Sequence, residues 1–148
     1  FTSEHVAAPF SDNAPDHWMW TPQGDGDLGA RLARAAVDVF ARDHWPLFIG
    51  VDCPELTLAD LHTAERAMRS HDAVIGPAED GGYWLLGLSR HLRSVFREIP
   101  WSSSETMLET LCRLRDANAT FRILEEKTDV DTVVEWRRFA HLTDWAGV

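Results

Sequence analysis

The stretch Pro46-Leu-Phe-Ile-Gly-Val-Asp-Cys-Pro54 decides the fold. Its first part, Pro46–Val51, is a short run of uncharged, mainly apolar residues. Such a run indicates a strand covered on both faces, as in a parallel sheet. The run stops abruptly at Asp52, and Pro54 restricts Cys53 to extended backbone geometry. We therefore expect a buried strand that ends in a carboxylate at the edge of the sheet.

Helical patterns flank this strand. Upstream, Asp25–Asp27 opens a helix that we expect to end near Arg42 to His44. Downstream, Thr57–Asp60 has the form of a capping box, in which the first and fourth side chains bond each other's backbone N–H groups. This pattern predicts a second helix, which begins directly after Thr57.

Two more helices are expected in the second half of the chain. Ser102–Glu105 again has the form of a capping box. The helix after it should bury one apolar face, formed by Met107, Leu108, Leu111 and Leu114. Asp131 is a candidate cap for a last helix, which begins at Thr132 and places Val134, Phe139 and Leu142 in the core.

Further strand patterns alternate with these helices. They lie at Glu4–Ala8, Ala73–Ile75, Tyr83–Leu88 and Phe121–Leu124, and a loop-like cluster of proline and polar residues follows the first of them. Alternation of strands with helices of about 10 to 15 residues is typical of βαβ units. We predict an α/β fold with three layers (α/β/α) and a mostly parallel central sheet, in which residues 1–148 form a single domain.

Composition narrows the classes of function. The 148 residues include 14 basic and 24 acidic side chains, a formal net charge of −10, with no basic stripe along any segment. Nucleic-acid binders usually carry such a stripe, so we expect no nucleic-acid partner. No apolar run approaches the length of about 20 residues that a membrane helix needs. We expect no membrane partner and a cytoplasmic location.

Asp52 is the first candidate for a functional residue. In open α/β sheets, ligands bind outside the carboxyl ends of the strands. A carboxylate in that position could hold a hard divalent cation, Mg²⁺ or Mn²⁺, that bridges phosphate oxygens. The alternative is an aspartate that caps backbone N–H groups of its own loop, and position alone favours this alternative slightly.

Three other segments are weaker candidates, each with a structural alternative. In Asp80-Gly81-Gly82-Tyr83 the glycines could let a ligand approach the backbone, and Tyr83 could contact a base or sugar; a simple turn is the alternative. Asp129 and Asp131 could face one cation, or Asp131 could cap a helix. A helix N-terminus at Gln23–Asp27 could bind an anion, although its acidic side chains then require a metal.

Several motifs together resemble a known family. The segments QGDGDLGARL (23–32), IGVDCPELTLADL (49–61), DAVIGPAEDGGYWLLGL (72–88), IPWSSSETMLETL (99–111) and DVDTVVEW (129–136) occur in the order and spacing of the DUF2064 proteins. These are assigned to the glycosyltransferases of GT-A type. They are similar, more distantly, to molybdenum-cofactor and 2-phospholactate guanylyltransferases.

The resemblance implies a nucleotide-diphospho-sugar transferase-like fold and a set of roles. Asp52 stands where GT-A enzymes have their metal-binding aspartate, and Asp131, with Asp129 next, would supply a second carboxylate to the same Mg²⁺ or Mn²⁺ ion. No residue stands out as a catalytic base, and Asp80, with Glu79 as the alternative, is a candidate only because of its place in the segment that would face the sugar or acceptor. Nucleotide or sugar contacts would come from the remaining motif residues: Gln23, Gly24, Asp27, Gly81, Gly82 and Tyr83.

The chain departs from the family pattern at its beginning. Family members usually begin with a strand and a Gly/Lys/Arg-rich loop that cradles the nucleotide, and this sequence has neither. Either the chain is a fragment or it is a natural truncation. In both cases we expect an N-terminally truncated version of the fold, with an exposed sheet edge through which two copies could form a homodimer.

Three functions are compatible with this pattern. The leading hypothesis is a glycosyltransferase that uses a nucleotide-sugar donor and a divalent metal. The second is a nucleotidyltransferase, similar to a guanylyltransferase, that acts on a phosphorylated small molecule. The third is a non-catalytic nucleotide-binding remnant, which the absence of the N-terminal loop favours.

Overall fold

The computed structural model describes residues 21–139 of the chain. The helices are α1 (Leu28–Phe40), α2 (Leu58–Met68), α3 (Thr106–Asp116) and α4 (Val133–Phe139), with a short 3-10 helix at Arg93–Phe96. The strands are β1 (Leu47–Ile49), β2 (Ala73–Pro77), β3 (Tyr83–Leu88) and β4 (Phe121–Ile123). The strand predicted at Glu4–Ala8, the loop after it and the core contact predicted for Leu142 lie outside the described residues.

The first two helices begin at the capping residues that the sequence indicates. The Asp27 carboxylate accepts the backbone N–H of Ala30 at 2.8 Å, so α1 begins at Leu28. At α2 the full capping box forms: the Thr57 hydroxyl accepts the Asp60 N–H at 3.3 Å, and the Asp60 carboxylate accepts the Thr57 N–H at 2.9 Å. The predicted start of both helices is confirmed.

The capping box predicted at Ser102–Glu105 does not form. Ser102 has a left-handed backbone with φ 59°, and α3 begins only at Thr106, with no capping bond from the side chain before it. Instead, the Thr106 hydroxyl in the first turn of α3 donates to the carbonyl oxygen of Pro100 at 2.8 Å, which connects the helix to the preceding loop. The prediction was wrong because a residue in left-handed geometry cannot serve as an N-cap, which needs extended backbone.

The sheet is mixed rather than mostly parallel within residues 21–139. Its order is β1-β3-β2-β4, with β3 antiparallel to both of its neighbours and β2 parallel to β4. Residues 78–82 alone join β2 to β3, and a parallel connection needs a crossover of a dozen residues or more. The chain therefore turns back at once, and β1, β2 and β4 share one direction while β3 runs against them.

Core side chains lie on both faces of the sheet. On one face Ile75, Leu86 and Leu88 pack with residues of α1, α3 and the 3-10 helix. On the other face Val74 and Leu85 pack with residues of α2. This burial on both faces explains the continuous apolar runs in β2 and β3. None of the helices within residues 21–139 is long and apolar enough to cross a membrane.

Candidate functional site

Three aspartates follow the three strands that share one direction. Asp52 comes after β1, Asp80 after β2 and Asp129 after β4. Because the carboxyl ends of strands that run the same way meet at one edge of a sheet, these aspartates are brought together. All three line one cavity of about 160 Å³, called here the acidic cavity. Its other polar and aromatic lining residues are Tyr83, Trp84, Trp101, Ser102, Ser103 and Thr106.

Asp52 presents a free carboxylate to this cavity. Its backbone carbonyl accepts the N–H of Val130 at 2.9 Å, which fixes the β1 loop against the segment that carries Asp129. Asp52 is exposed, and no hydrogen bond to its side chain forms within residues 21–139. Asp52 was expected either to bind a cation or to cap backbone N–H groups of its own loop. The part of the chain that the structure describes shows no such cap.

Asp80 belongs to a tight turn and to the cavity at the same time. One carboxylate oxygen accepts the N–H of Gly82 at 2.7 Å, as in an Asx turn, and Gly81 has φ 89°. The carbonyl of Gly81 accepts the N–H of Met107 at 2.9 Å, which holds the turn against the start of α3. The second oxygen of Asp80 remains available to a ligand.

Asp129 is the half-buried carboxylate of the three. Burial raises its pKa, and the charges of Asp80, Asp131 and Asp52 raise it further. Asp131 is exposed and does not line the acidic cavity. Of the two residues predicted to share a cation with Asp52, the structure thus places Asp129 at the cavity.

Tyr83 lines the cavity with its hydroxyl buried away from solvent. Within the described part of the chain that hydroxyl lies near the Thr110 side chain without a well-formed hydrogen bond. Burial raises the pKa of the phenol, and Thr110 opposes this rise more weakly. The ring of Tyr83 meets Trp101 edge-on, with ring centroids 6.4 Å apart. Trp101, Ser103 and Thr106 also line the cavity. All three lie in the segment 99–111 that carries part of the family resemblance, but no binding role was predicted for them.

The predicted ligand residues before α1 lie elsewhere. The carbonyl of Gln23 accepts a bond from the Arg34 guanidinium at 2.7 Å, and the Gln23 side chain accepts one from Arg31 at 3.1 Å. Gly24 has φ 72° beside Arg34, and Asp27 caps α1. The structure does not place Gln23, Gly24 or Asp27 among the residues that line the acidic cavity.

A lysine that sequence reasoning missed holds the Asp129 segment in place. Lys127 lies 3.1 Å from the Asp60 carboxylate and 5.4 Å from the centroid of the Trp84 ring, and its side chain is only 11% exposed. Next to it, the N–H of Thr128 donates to the Glu55 carboxylate at 3.0 Å. These contacts clamp the loop after β4 against the loop after β1.

The described residues do not form a complete metal cage. Within residues 21–139, no three histidine, cysteine, aspartate or glutamate side chains come close enough together to hold a metal ion by themselves. One or two carboxylates at the acidic cavity are still available, and Mg²⁺ is commonly bound by that number of carboxylates together with substrate phosphates.

Comparison with known families assigns the chain to one of them. Residues 1–103 match DUF2064, described as uncharacterised proteins conserved in bacteria. The chain belongs to this family. The matched part contains Asp52 and Asp80 and ends before Asp129. The resemblance found in the sequence is thereby confirmed.

A solved structure extends the similarity to the fold. A crystal structure described as that of a "putative nucleotide-diphospho-sugar transferase" from Desulfovibrio desulfuricans G20 matches this chain with a TM-score of 0.82 and 29% sequence identity. The match covers 93% of this chain and 63% of that protein, so the chain spans less than two thirds of its relative's length. No curated protein matches the chain.

Proposed function

We propose that the chain is a transferase domain that binds a nucleotide-sugar at the acidic cavity with the help of Mg²⁺ or Mn²⁺ and transfers the sugar to an acceptor. The observation that carries this proposal is the convergence of Asp52, Asp80 and Asp129 on one cavity at the carboxyl ends of three strands. The similarity to a protein described as a "putative nucleotide-diphospho-sugar transferase" supports it.

The charges of the cavity favour a cation between protein and ligand. Three carboxylates beside a nucleotide diphosphate would repel it strongly, and burial already disfavours the ionised form of Asp129. Carboxylate oxygens are the ligands that Mg²⁺ and Mn²⁺ prefer. We assign Asp52 and Asp129 as the protein ligands, while Asp131 adds negative charge from outside the cavity.

The cation would be shared with the donor. Since fewer than three side chains are positioned to bind it, phosphate oxygens of the donor would complete its coordination. A bound divalent cation stabilises the negative charge that develops on a diphosphate leaving group. It follows that metal affinity should be low for the protein alone and higher when a nucleotide-sugar is present.

The size of the cavity fits one sugar ring rather than a whole nucleotide-sugar. Sites that enclose drug-sized ligands measure roughly 300–1,000 Å³, whereas the acidic cavity has about 160 Å³. We place the sugar inside it, with the free oxygen of Asp80 directed to a sugar or acceptor hydroxyl. As a carboxylate, Asp80 would accept the proton of the attacking hydroxyl.

The test is thermal unfolding with a panel of nucleotide-sugars and nucleoside triphosphates, with and without Mn²⁺. A ligand at about 100 times its dissociation constant stabilises the folded state by about 2.7 kcal/mol. We expect a shift with a nucleotide-sugar that requires Mn²⁺ and is lost in Asp52→Asn. Asp38→Asn is the matched control, because Asp38 is exposed on α1 and does not line the acidic cavity.

Two outcomes would contradict the proposal. If no ligand shifts the melting temperature of a cooperatively folded sample, the chain does not bind a donor. If a nucleoside triphosphate alone gives the metal-dependent shift, and pyrophosphate is released with a phosphorylated acceptor, the chain is a nucleotidyltransferase instead.

A further inference from the structure

A second and larger cavity lies between α1 and the 3-10 helix. Its volume is about 510 Å³, within the range of sites that bind small molecules. Gly29 allows the two elements to come this close, because a Cβ atom there would stand 2.3 Å from the carbonyl oxygen of Phe96. The close approach of Gly29 to the Phe96 carbonyl therefore fixes the positions of the two elements that form the walls of the cavity.

Three arginines, Arg34, Arg93 and Arg97, line this second cavity, called here the arginine cavity. Arg34 donates to the backbone carbonyls of Gln23 and Asp25 rather than to a carboxylate. Within residues 21–139, none of the three forms an ion pair with a carboxylate. Their positive charges are therefore not neutralised by contacts inside the described structure.

The acidic residues at the same cavity are already engaged. The Asp27 carboxylate caps α1, and the Glu98 carboxylate lies 3.2 Å from the guanidinium of Arg113. Arg93 bonds only to His91, at 3.4 Å, and Arg97 has no side-chain hydrogen bond within the described residues. In a chain with a net charge of −10, this cavity is a local concentration of available positive charge.

We infer that the arginine cavity is a binding site for a small molecule that carries an oxyanion, either a phosphate or a carboxylate group. The planar fork of a guanidinium binds both kinds of oxyanion through paired N–H donors. Arg93 and Arg97 supply these donors from the 3-10 helix and the residue that follows it. Arg34 adds positive charge from the α1 side of the cavity.

The arginine cavity is separate from the acidic cavity, although the two are neighbours. Leu28 lines the acidic cavity, while Asp27 and Gly29 on either side of it line the arginine cavity. The first turn of α1 thus forms part of the wall of both. A molecule anchored by its oxyanion in the arginine cavity would lie beside the acidic cavity without entering it, so this inference does not depend on the proposed function.

The experiment measures binding of inorganic phosphate and of succinate to the full chain by calorimetry and by the NMR signals of the arginine side chains. Saturable binding is expected for wild type, with shifts of the Arg93 and Arg97 signals, and the double variant Arg93→Gln/Arg97→Gln should bind at least about tenfold more weakly. The stronger of the two probes identifies which oxyanion the cavity takes.

Two control variants make the result decisive. Arg122→Gln removes one positive charge from an exposed position on β4 and should leave binding unchanged. Asp52→Asn alters the acidic cavity and should also leave binding unchanged, which separates this inference from the proposed transferase site. The inference is overturned if wild type shows no saturable binding, or if Arg122→Gln weakens binding as much as the double variant does.

Discussion

At the scale of single residues, Gly81 controls the turn that carries Asp80. Its backbone has φ 89°, and a Cβ atom there would stand 2.3 Å from the carbonyl oxygen of Ser104. Left-handed geometry costs a residue with a side chain roughly 1–2 kcal/mol before any clash. We expect Gly81→Ala to lower the free energy of unfolding by about 2–4 kcal/mol, measured by urea denaturation.

The neighbouring glycine provides the control for Gly81. The atoms nearest to a Cβ atom at Gly82 would belong to the Asp80 carboxylate, the first of them at 3.0 Å, and that side chain can rotate away. Gly82→Ala should therefore change stability by less than about 1 kcal/mol while it displaces Asp80. Equal losses in the two variants would show that the Gly81 contact with Ser104 is not what limits the turn.

Lys127 is the second residue whose removal should have a large effect. It is paired with Asp60 at 3.1 Å, and the two side chains are only 11% and 22% exposed. Removal of one partner from a buried pair typically costs about 3–5 kcal/mol, because the other charge is left uncompensated. Since both groups retain some solvent contact, we expect about 2–3 kcal/mol for Lys127→Met in urea denaturation.

An exposed ion pair of similar length serves as the comparison for Lys127. Glu65 on α2 and Arg69, the residue that follows this helix, lie 2.7 Å apart with side chains 57% and 69% exposed. Exposed pairs are worth about 0.2–1 kcal/mol, so Arg69→Met should barely change stability. If Lys127→Met is equally mild, the clamp on the Asp129 segment does not depend on this charge.

The sequence could identify some of these residues and not others. The position of Asp52 after a strand was predictable, because an apolar run precedes it and Pro54 follows it. The expectation that this strand is buried on both faces was wrong, since β1 is an edge strand and Ile49 is 42% exposed. The choice between Asp129 and Asp131 depends on how the backbone turns after β4, which no local pattern encodes. Lys127, Trp101 and the arginine cavity depend on contacts between residues far apart in the chain.

At the scale of elements, one carboxylate joins β2 to β4 where both strands begin. The Asp72 carboxylate accepts the backbone N–H of Thr120 at 2.8 Å. This hydrogen bond lowers the pKa of Asp72 below the usual 3.8, and the Thr120 hydroxyl and Arg90 lower it further, while burial opposes the change. A lowered pKa means that the folded state favours the ionised carboxylate. Its stabilisation is therefore complete above pH 3.8 and is lost as the pH falls through the lowered pKa.

Asp72→Asn tests this linkage. The variant should be less stable than wild type by about 1–2 kcal/mol at pH 7, since a hydrogen bond to a charged group is replaced by a neutral one. The difference should begin to shrink as the pH falls below the usual pKa of 3.8, and it should disappear as the pH falls through the lowered pKa of Asp72 in the folded state. Urea denaturation at pH 7 and near pH 3 measures both values, and a difference that does not change with pH would contradict the assignment.

Element type was more predictable than element direction. The apolar runs of β2 and β3 reflect burial on both faces of the sheet. Such a run does not indicate whether a strand is parallel or antiparallel to its neighbours. The short connection at residues 78–82 was the available signal for the reversal of β3. In α3, Leu108 is 62% exposed although the apolar spacing predicted it to be buried, because the buried face runs through Thr106, Thr110 and Leu114.

At the scale of the whole molecule, strand direction and charge act together. The three strands that run in the same direction place their aspartates at one edge of the sheet, where they line the acidic cavity. The first turn of α1 lies between this cavity and the arginine cavity. Added salt screens the attraction between exposed arginines and an oxyanion. Binding of an oxyanion at the arginine cavity, which Arg34, Arg93 and Arg97 line, should therefore weaken as salt is added.

The two edge strands of the sheet lead to the last prediction. Within the described residues β1 and β4 end the sheet on opposite sides, and Ile49 and Ile123 on these strands are each 42% exposed. The β1 side carries more exposed apolar surface, since Trp45 is 48% and Val51 is 93% exposed. An open apolar edge favours pairing with another chain, and a lysine placed on an edge strand opposes it.

We expect the chain to form a homodimer through β1, which Ile49→Lys dissociates and Ile123→Lys does not. Light scattering after size-exclusion chromatography over a range of concentrations measures this; a monomeric wild type, or equal dissociation by both variants, would show that the β1 edge is not the interface.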